Sequence, residues 1–95
     1  MNHKRYTAAT DQEILEAIGA RLKALRKARG LTQTEAAARA GIGRHTLYRT
    51  EQGDNPTLHT VIRLLRVYGR LEALADFIPE PEISPMARLR DRKGS

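Results

Sequence analysis

The sequence predicts an all-α fold, a compact bundle of five helices, and three observations carry that prediction. Apolar residues recur at spacings of three and four in successive segments, and no stretch alternates apolar and polar residues strongly enough to make a strand. Glycines and an Asn-Pro pair break the chain at short intervals, as turns between antiparallel helices require. With 95 residues there is room for one domain and a single modest core. Aromatics make up only 4% of the chain, so Leu, Ile, Val and Ala must fill most of that core.

Residues 1–9 are polar and mildly basic (His3, Lys4, Arg5) and read as a loose arm. Thr10-Asp11-Gln12-Glu13 has the form of a capping box, in which hydroxyl and carboxylate each bond the other residue's backbone N–H. Behind it Ile14, Leu15, Ile18, Leu22 and Leu25 share one helical face. Arg21, Lys23, Arg26, Lys27 and Arg29 crowd the end of this first helix, where the dipole favours cations, and Gly30 stops it. Thr32-Gln33-Thr34-Glu35 repeats the capping box and opens a second helix rich in alanine (Ala36, Ala37, Ala38, Ala40) that ends at Gly41. A third helix follows over about 44–52, anchored by Leu47 and closed by Gly53. After the Asp54-Asn55-Pro56 loop, Thr57 caps a fourth helix with Leu58, Val61, Ile62, Leu65 and Tyr68 on a common face. Gly69 breaks it, and Leu71, Leu74, Ala75, Phe77 and Ile78 predict a short fifth helix. The domain therefore spans 10–78, and 79–95 is a tail, proline-rich and then basic (Arg88, Arg90, Arg92, Lys93), with at most a short helix near 85–90.

Charge and composition narrow the function classes. Seventeen Lys and Arg against eleven Asp and Glu give a net charge of +6, which points to a polyanionic partner: nucleic acid first, an anionic membrane second. The membrane reading needs an exposed amphipathic helix with an aromatic-rich face, which the first and fourth helices do not offer. The absence of cysteine excludes disulfides and thiolate zinc sites. No apolar run approaches the roughly 20 residues of a membrane span, and the N-terminus lacks a secretory signal, so a cytoplasmic protein is expected. His3, His45 and His59 are far apart, so no metal site is expected. The carboxylates are scattered, no glycine loop follows a strand, and Ser84 stands alone beside Pro85. No catalytic residue, no cofactor and no enzymatic activity are therefore expected.

The informative stretch is 32–53. Its two helices are joined by the three-residue turn Gly41-Ile42-Gly43, the helix-turn-helix arrangement whose second helix is offered to the major groove of DNA. Ala37 is small where the helices would cross, Gly41 sits where the turn needs a positive φ, and Ile42 and Leu47 pin turn and helix to the core. Arg44, His45, Tyr48 and Arg49 point outward near the start and middle of the third helix, and arginine can bind guanine O6 and N7 bidentately. A solvated polar face is the usual fate of such residues, and the turn signature weighs against it here.

Residues 18–78 resemble the Cro and phage-repressor type of regulators, the Xre family. The resemblance rests on Arg21-Leu22-Lys23-Ala24-Leu25-Arg26, Gly30-Leu31-Thr32-Gln33, Ala37, Gly41-Ile42, and Glu51-Gln52-Gly53 followed by Asn55-Pro56-Thr57-Leu58. It implies the phage-repressor fold and DNA contacts by Gln33, Gly43, Arg44, His45, Thr46, Tyr48 and Arg49. It also implies a structural ion pair between Arg26 and Glu51, which moves Arg26 from the DNA contacts to the scaffold; deleting one partner of such a pair costs about 3–5 kcal/mol. Two positions depart from the family. Thr50 replaces an aliphatic residue and is expected to loosen its helix, and Tyr48 replaces a small polar residue and is placed to stack or to meet a thymine methyl.

Regulators of this family generally bind pseudo-palindromic sites, so a homodimer on an inverted-repeat operator is expected. Leu71, Leu74, Phe77 and Ile78 either close the core or form that dimer contact. The function implied is a sequence-specific transcriptional regulator, a repressor. The alternative is the antitoxin of a toxin–antitoxin pair, which would bind its toxin through the tail from Pro79 and repress its own operon. A restriction–modification controller or a phage-encoded regulator is equally compatible.

Overall fold

The computed structural model describes residues 7–82, 85 and 86. The arm residues His3, Lys4 and Arg5, and the tail residues Ser84, Arg88, Arg90, Arg92 and Lys93, lie outside them. The described chain forms four α-helices, α1 (Asp11–Ala28), α2 (Gln33–Ala40), α3 (Arg44–Glu51) and α4 (Leu58–Val67), then a 3-10 segment, Leu71–Ala75. No strand occurs among the described residues.

Local hydrogen bonds explain where the helices begin and end. Both capping boxes form: Thr10 Oγ1 accepts from the Glu13 N–H at 3.1 Å while Glu13 Oε1 accepts from the Thr10 N–H at 2.9 Å. Thr32 and Glu35 repeat this at 3.1 and 3.0 Å. The backbone N–H groups of Thr10 and Thr32 hold the carboxyls of Glu13 and Glu35 below the usual carboxylate range. At the end of α1 the Leu31 N–H returns to the Arg26 carbonyl at 3.2 Å and the Gly30 N–H to that of Lys27 at 2.9 Å. The same pair of bonds closes α2, α3 and α4 at Gly41, Gly53 and Gly69.

The fully buried core comprises Leu22, Leu31, Ala36, Ala37, Ala40, Leu47, Leu64 and Tyr68. Three of these, Ala36, Ala37 and Ala40, are among the four alanines of α2, and their small side chains bring α3 and α4 close to its axis. The buried line of α4 runs through Thr60, Leu64 and Tyr68, one residue every four. This corrects the expected stripe: Val61 and Leu65 pack at the edge of the core, whereas Leu58 is half exposed. Docking against both α2 and α3 decides which line turns inward, and the spacing of apolar residues alone does not contain that choice.

The expected fifth α-helix is the other correction. Leu71–Ala75 is a single 3-10 segment with three-residue bonds, Ala73 N–H to Arg70 and Phe77 N–H to Leu74. Five residues after the Gly69 break are too few to repay nucleation of an α-helix. Leu71 and Leu74 are half-buried there, and Phe77 and Ile78 follow it, each with more than half of its surface in solvent.

α1 crosses the end of α3 at very short range. A Cβ on Gly19 would stand 2.5 Å from the Glu51 carbonyl oxygen and 2.6 Å from that of Thr50. Beside this crossing Arg26 and Glu51 are both buried and joined, Nε to Oε2, at 2.7 Å. Thr50 is a polar residue on the inner face of α3. It is 2% exposed, and its hydroxyl donates to the Thr46 carbonyl at 2.8 Å, so the polar group is satisfied inside the helix.

Candidate nucleic-acid interface

The turn between α2 and α3 sets the direction of the second helix. Gly41 closes α2 in the left-handed conformation at φ 69°, which side chains other than hydrogen adopt at a cost. Ile42 is half-buried against the core, and Gly43 is already the N-cap of α3 at φ −73° and ψ 150°. The chain thus reverses within three residues. Arg63, which sequence reasoning left unassigned, holds the joint from α4. Its Nη1 donates to the Ala40 carbonyl at 3.0 Å and its Nε to His59 Nε2 at 3.0 Å.

α3 is divided cleanly by its own periodicity. Leu47, Thr50 and Glu51, at spacings of three and four, are all buried. Arg44, His45, Thr46, Tyr48 and Arg49 are all exposed, and Arg44 and Tyr48 lie one turn apart on the outer face, as do His45 and Arg49. Tyr48 shows 46% of its surface to solvent, a large aromatic group with no core to fill.

Gln33, the first residue of α2, is half-buried and links the two helices. Its Nε2 donates to Glu51 Oε1 at 3.2 Å and its Oε1 accepts from Arg44 Nη1 at 3.2 Å. Arg49 is less available than its position implies, because its Nε pairs with Asp54 Oδ2 at 2.9 Å, with both side chains about half exposed. Such surface pairs contribute little, ~0–1 kcal/mol, and exchange readily for a stronger anion. Arg26 is only 7% exposed and donates to Glu51 and to the Leu31 carbonyl, so it lies behind the surface. Among the described residues no three His, Cys, Asp or Glu side chains group as metal ligands, and no helix is long and apolar enough to cross a membrane.

This surface is a helix of exposed donors, launched from a tight turn and braced from behind by an apolar and ion-paired face. Comparison with known families decides what it is: a family profile described as a helix-turn-helix domain matches residues 17–77. The chain belongs to the helix-turn-helix domain family. The match takes in α2, the turn and α3 whole, and runs from within α1 to just past the 3-10 segment. Membership of this family points to a DNA-binding regulator, and the domain is typically not enzymatic. In the helix-turn-helix domain α3 occupies the place of the recognition helix. A search of curated proteins finds no match.

Proposed function

We propose that this helix-turn-helix protein is a sequence-specific transcriptional repressor of the Cro and phage-repressor type, binding an inverted-repeat operator as a homodimer. The observation that carries the reading is the division of α3: its inner face is wholly buried, and its outer face presents Arg44, His45, Tyr48 and Arg49 to solvent. Arg44 and Tyr48 are assigned to base edges. Gln33, Gly43, His45, Thr46 and Arg49 are assigned to the phosphates and base edges beside them, and the net charge of +6 favours approach to DNA. The DNA-binding unit spans 10–78, with 1–9 as an arm and 79–95 as a tail.

Dimerisation is assigned to the end of the domain. Leu74 and Phe77 line an open apolar groove of about 460 Å³ together with Ile18, Leu22, Leu58 and Val61, and Ile78 is 71% exposed next to it. A second copy docked through Leu71, Leu74, Phe77 and Ile78 would present two recognition helices to one face of the DNA. The exposure of Phe77, Ile78 and Met86, at 56%, 71% and 68%, also favours a second reading, in which the tail holds a toxin protein and the chain is its antitoxin.

Selection of bound duplexes from a random pool, with salt titration, tests the proposal. The expected result is an inverted repeat with half-sites about 34 Å apart and an affinity that falls steeply with salt. Binding without sequence preference and indifferent to salt would overturn it. A second small protein that co-purifies with the full chain and is lost on removing residues 79–95 favours the antitoxin form.

A further inference from the structure

The buried ion pair and the outer face of α3 are usually separate concerns, one of stability and the other of recognition. Here a continuous line of hydrogen bonds joins them. Glu51 is 5% exposed. Its Oε2 takes Arg26 Nε at 2.7 Å, and its Oε1 takes both Arg26 Nη2 and Gln33 Nε2 at 3.2 Å. The far end of Gln33 accepts from Arg44 Nη1 at 3.2 Å. We propose that Glu51 is a positioning residue for DNA recognition, acting through Gln33 to hold the Arg44 guanidinium ready for a base; this rests on α3 being the reading helix.

Three physical points support it. A carboxylate only accepts and a guanidinium only donates, so Gln33 between them can take one amide orientation, with its nitrogen inward and its oxygen outward. A residue that anchors Arg44 by a single N–H leaves the remaining N–H groups of the fork for the two acceptors of guanine. Ordering a long flexible side chain before binding removes part of the cost otherwise met at the moment of contact. The ion pair itself is a weak source of net stability compared with apolar residues of the same volume. A role in aiming Arg44 accounts for a buried charge that stability alone does not require.

The test is a double-mutant cycle on Gln33→Ala and Arg44→Ala. The probes are the duplex that the wild-type chain selects from a random pool and its single-base-pair variants. Arg44→Ala is expected to reduce preference at one base pair about tenfold or more. Gln33→Ala is expected to reduce it about threefold or more at that same base pair. In the Arg44→Ala background Gln33→Ala adds nothing there. The Arg26–Glu51 pair is intact in both variants, so their thermal midpoints stay close to wild type. Additive losses, or a Gln33→Ala loss equal across all bases, make Gln33 an independent phosphate contact and overturn the proposal. The inner link is read in the free protein by NMR. Glu51→Gln is expected to move the Gln33 side-chain amide resonances and those of the Arg44 guanidinium, and resonances left in place by a folded variant overturn it. Should that variant fail to fold, Glu51→Asp, which keeps the charge beside Arg26 but shortens its reach to Gln33, gives the same readout, and unmoved Gln33 and Arg44 resonances overturn the inner link. A wild-type chain that selects no sequence removes the DNA reading itself, and this role with it, before any variant is made.

Discussion

Tyr68 is the residue at which the core is least comfortable. It is 1% exposed, and its hydroxyl is buried with no hydrogen-bond partner among the described residues. Leaving such a group unsatisfied costs about 1–3 kcal/mol, whereas its ring fills the space between the helices. Burial first, and then the charge of Glu51, push the phenol up to about 12, against an ordinary value near 10. The folded state therefore holds this proton more tightly than the unfolded chain does. The resulting stability is fully present below about pH 10 and is lost as pH rises towards 12. Tyr68→Phe should be as stable as wild type or more so, by up to about 1 kcal/mol, which is about 4–8 °C in a domain of this size. It should also lose less stability than wild type between pH 10 and 12, as followed by thermal melts across that range. A large drop in midpoint would mean that the hydroxyl has a partner in solution.

Among the elements, the crossing of α1 over α3 decides how firmly the recognition helix is seated. Gly19 lies mid-helix, where alanine is ordinarily better by about 1 kcal/mol. The atoms that a Cβ would meet are backbone carbonyls of Thr50 and Glu51, which cannot swing aside as a side chain would. Gly19→Ala should therefore destabilise the domain by about 1–3 kcal/mol net of propensity, with α1 and α3 forced apart. Calorimetry reads this directly, and a midpoint at or above wild type would show slack at the crossing. The two capping boxes and the Gly41 turn were legible in the sequence because their partners lie within a few residues. The outer face of α3 was legible too, since Leu47 marks its inner side. Gly19 was missed, although an isolated glycine in a helical pattern is itself a hint of close approach. The inward turn of Leu64 and the shortened Leu71–Ala75 depend on docking that no local pattern contains. The same holds for the line from Glu51 to Arg44, whose bonds span 18 and 11 residues, and for the pairing of Arg49 with Asp54.

For the whole molecule, affinity for one site among many competitors must come from more than one recognition helix. A single small module buries roughly 600–1,000 Å² on DNA, and its charge attracts every sequence alike. Linking two such modules at the spacing of one DNA turn converts the second contact into an intramolecular one. The apolar residues beyond α4 are the part of the surface suited to that link. Phe77 and Ile78 expose more than half of their area and belong to no core, so replacing them should not disturb folding. Changing both to Ser is expected to leave the thermal midpoint within the ±0.5 kcal/mol usual for surface sites. The same change should shift the sedimenting species from dimer to monomer, and reduce affinity for the full inverted repeat to that for a single half-site. A variant that still dimerises places the contact elsewhere on the groove formed by α1 and α4. A wild-type chain that is monomeric at every concentration, yet binds the full repeat no more tightly than a half-site, removes the dimer altogether and leaves the exposed end of the domain to a different protein partner.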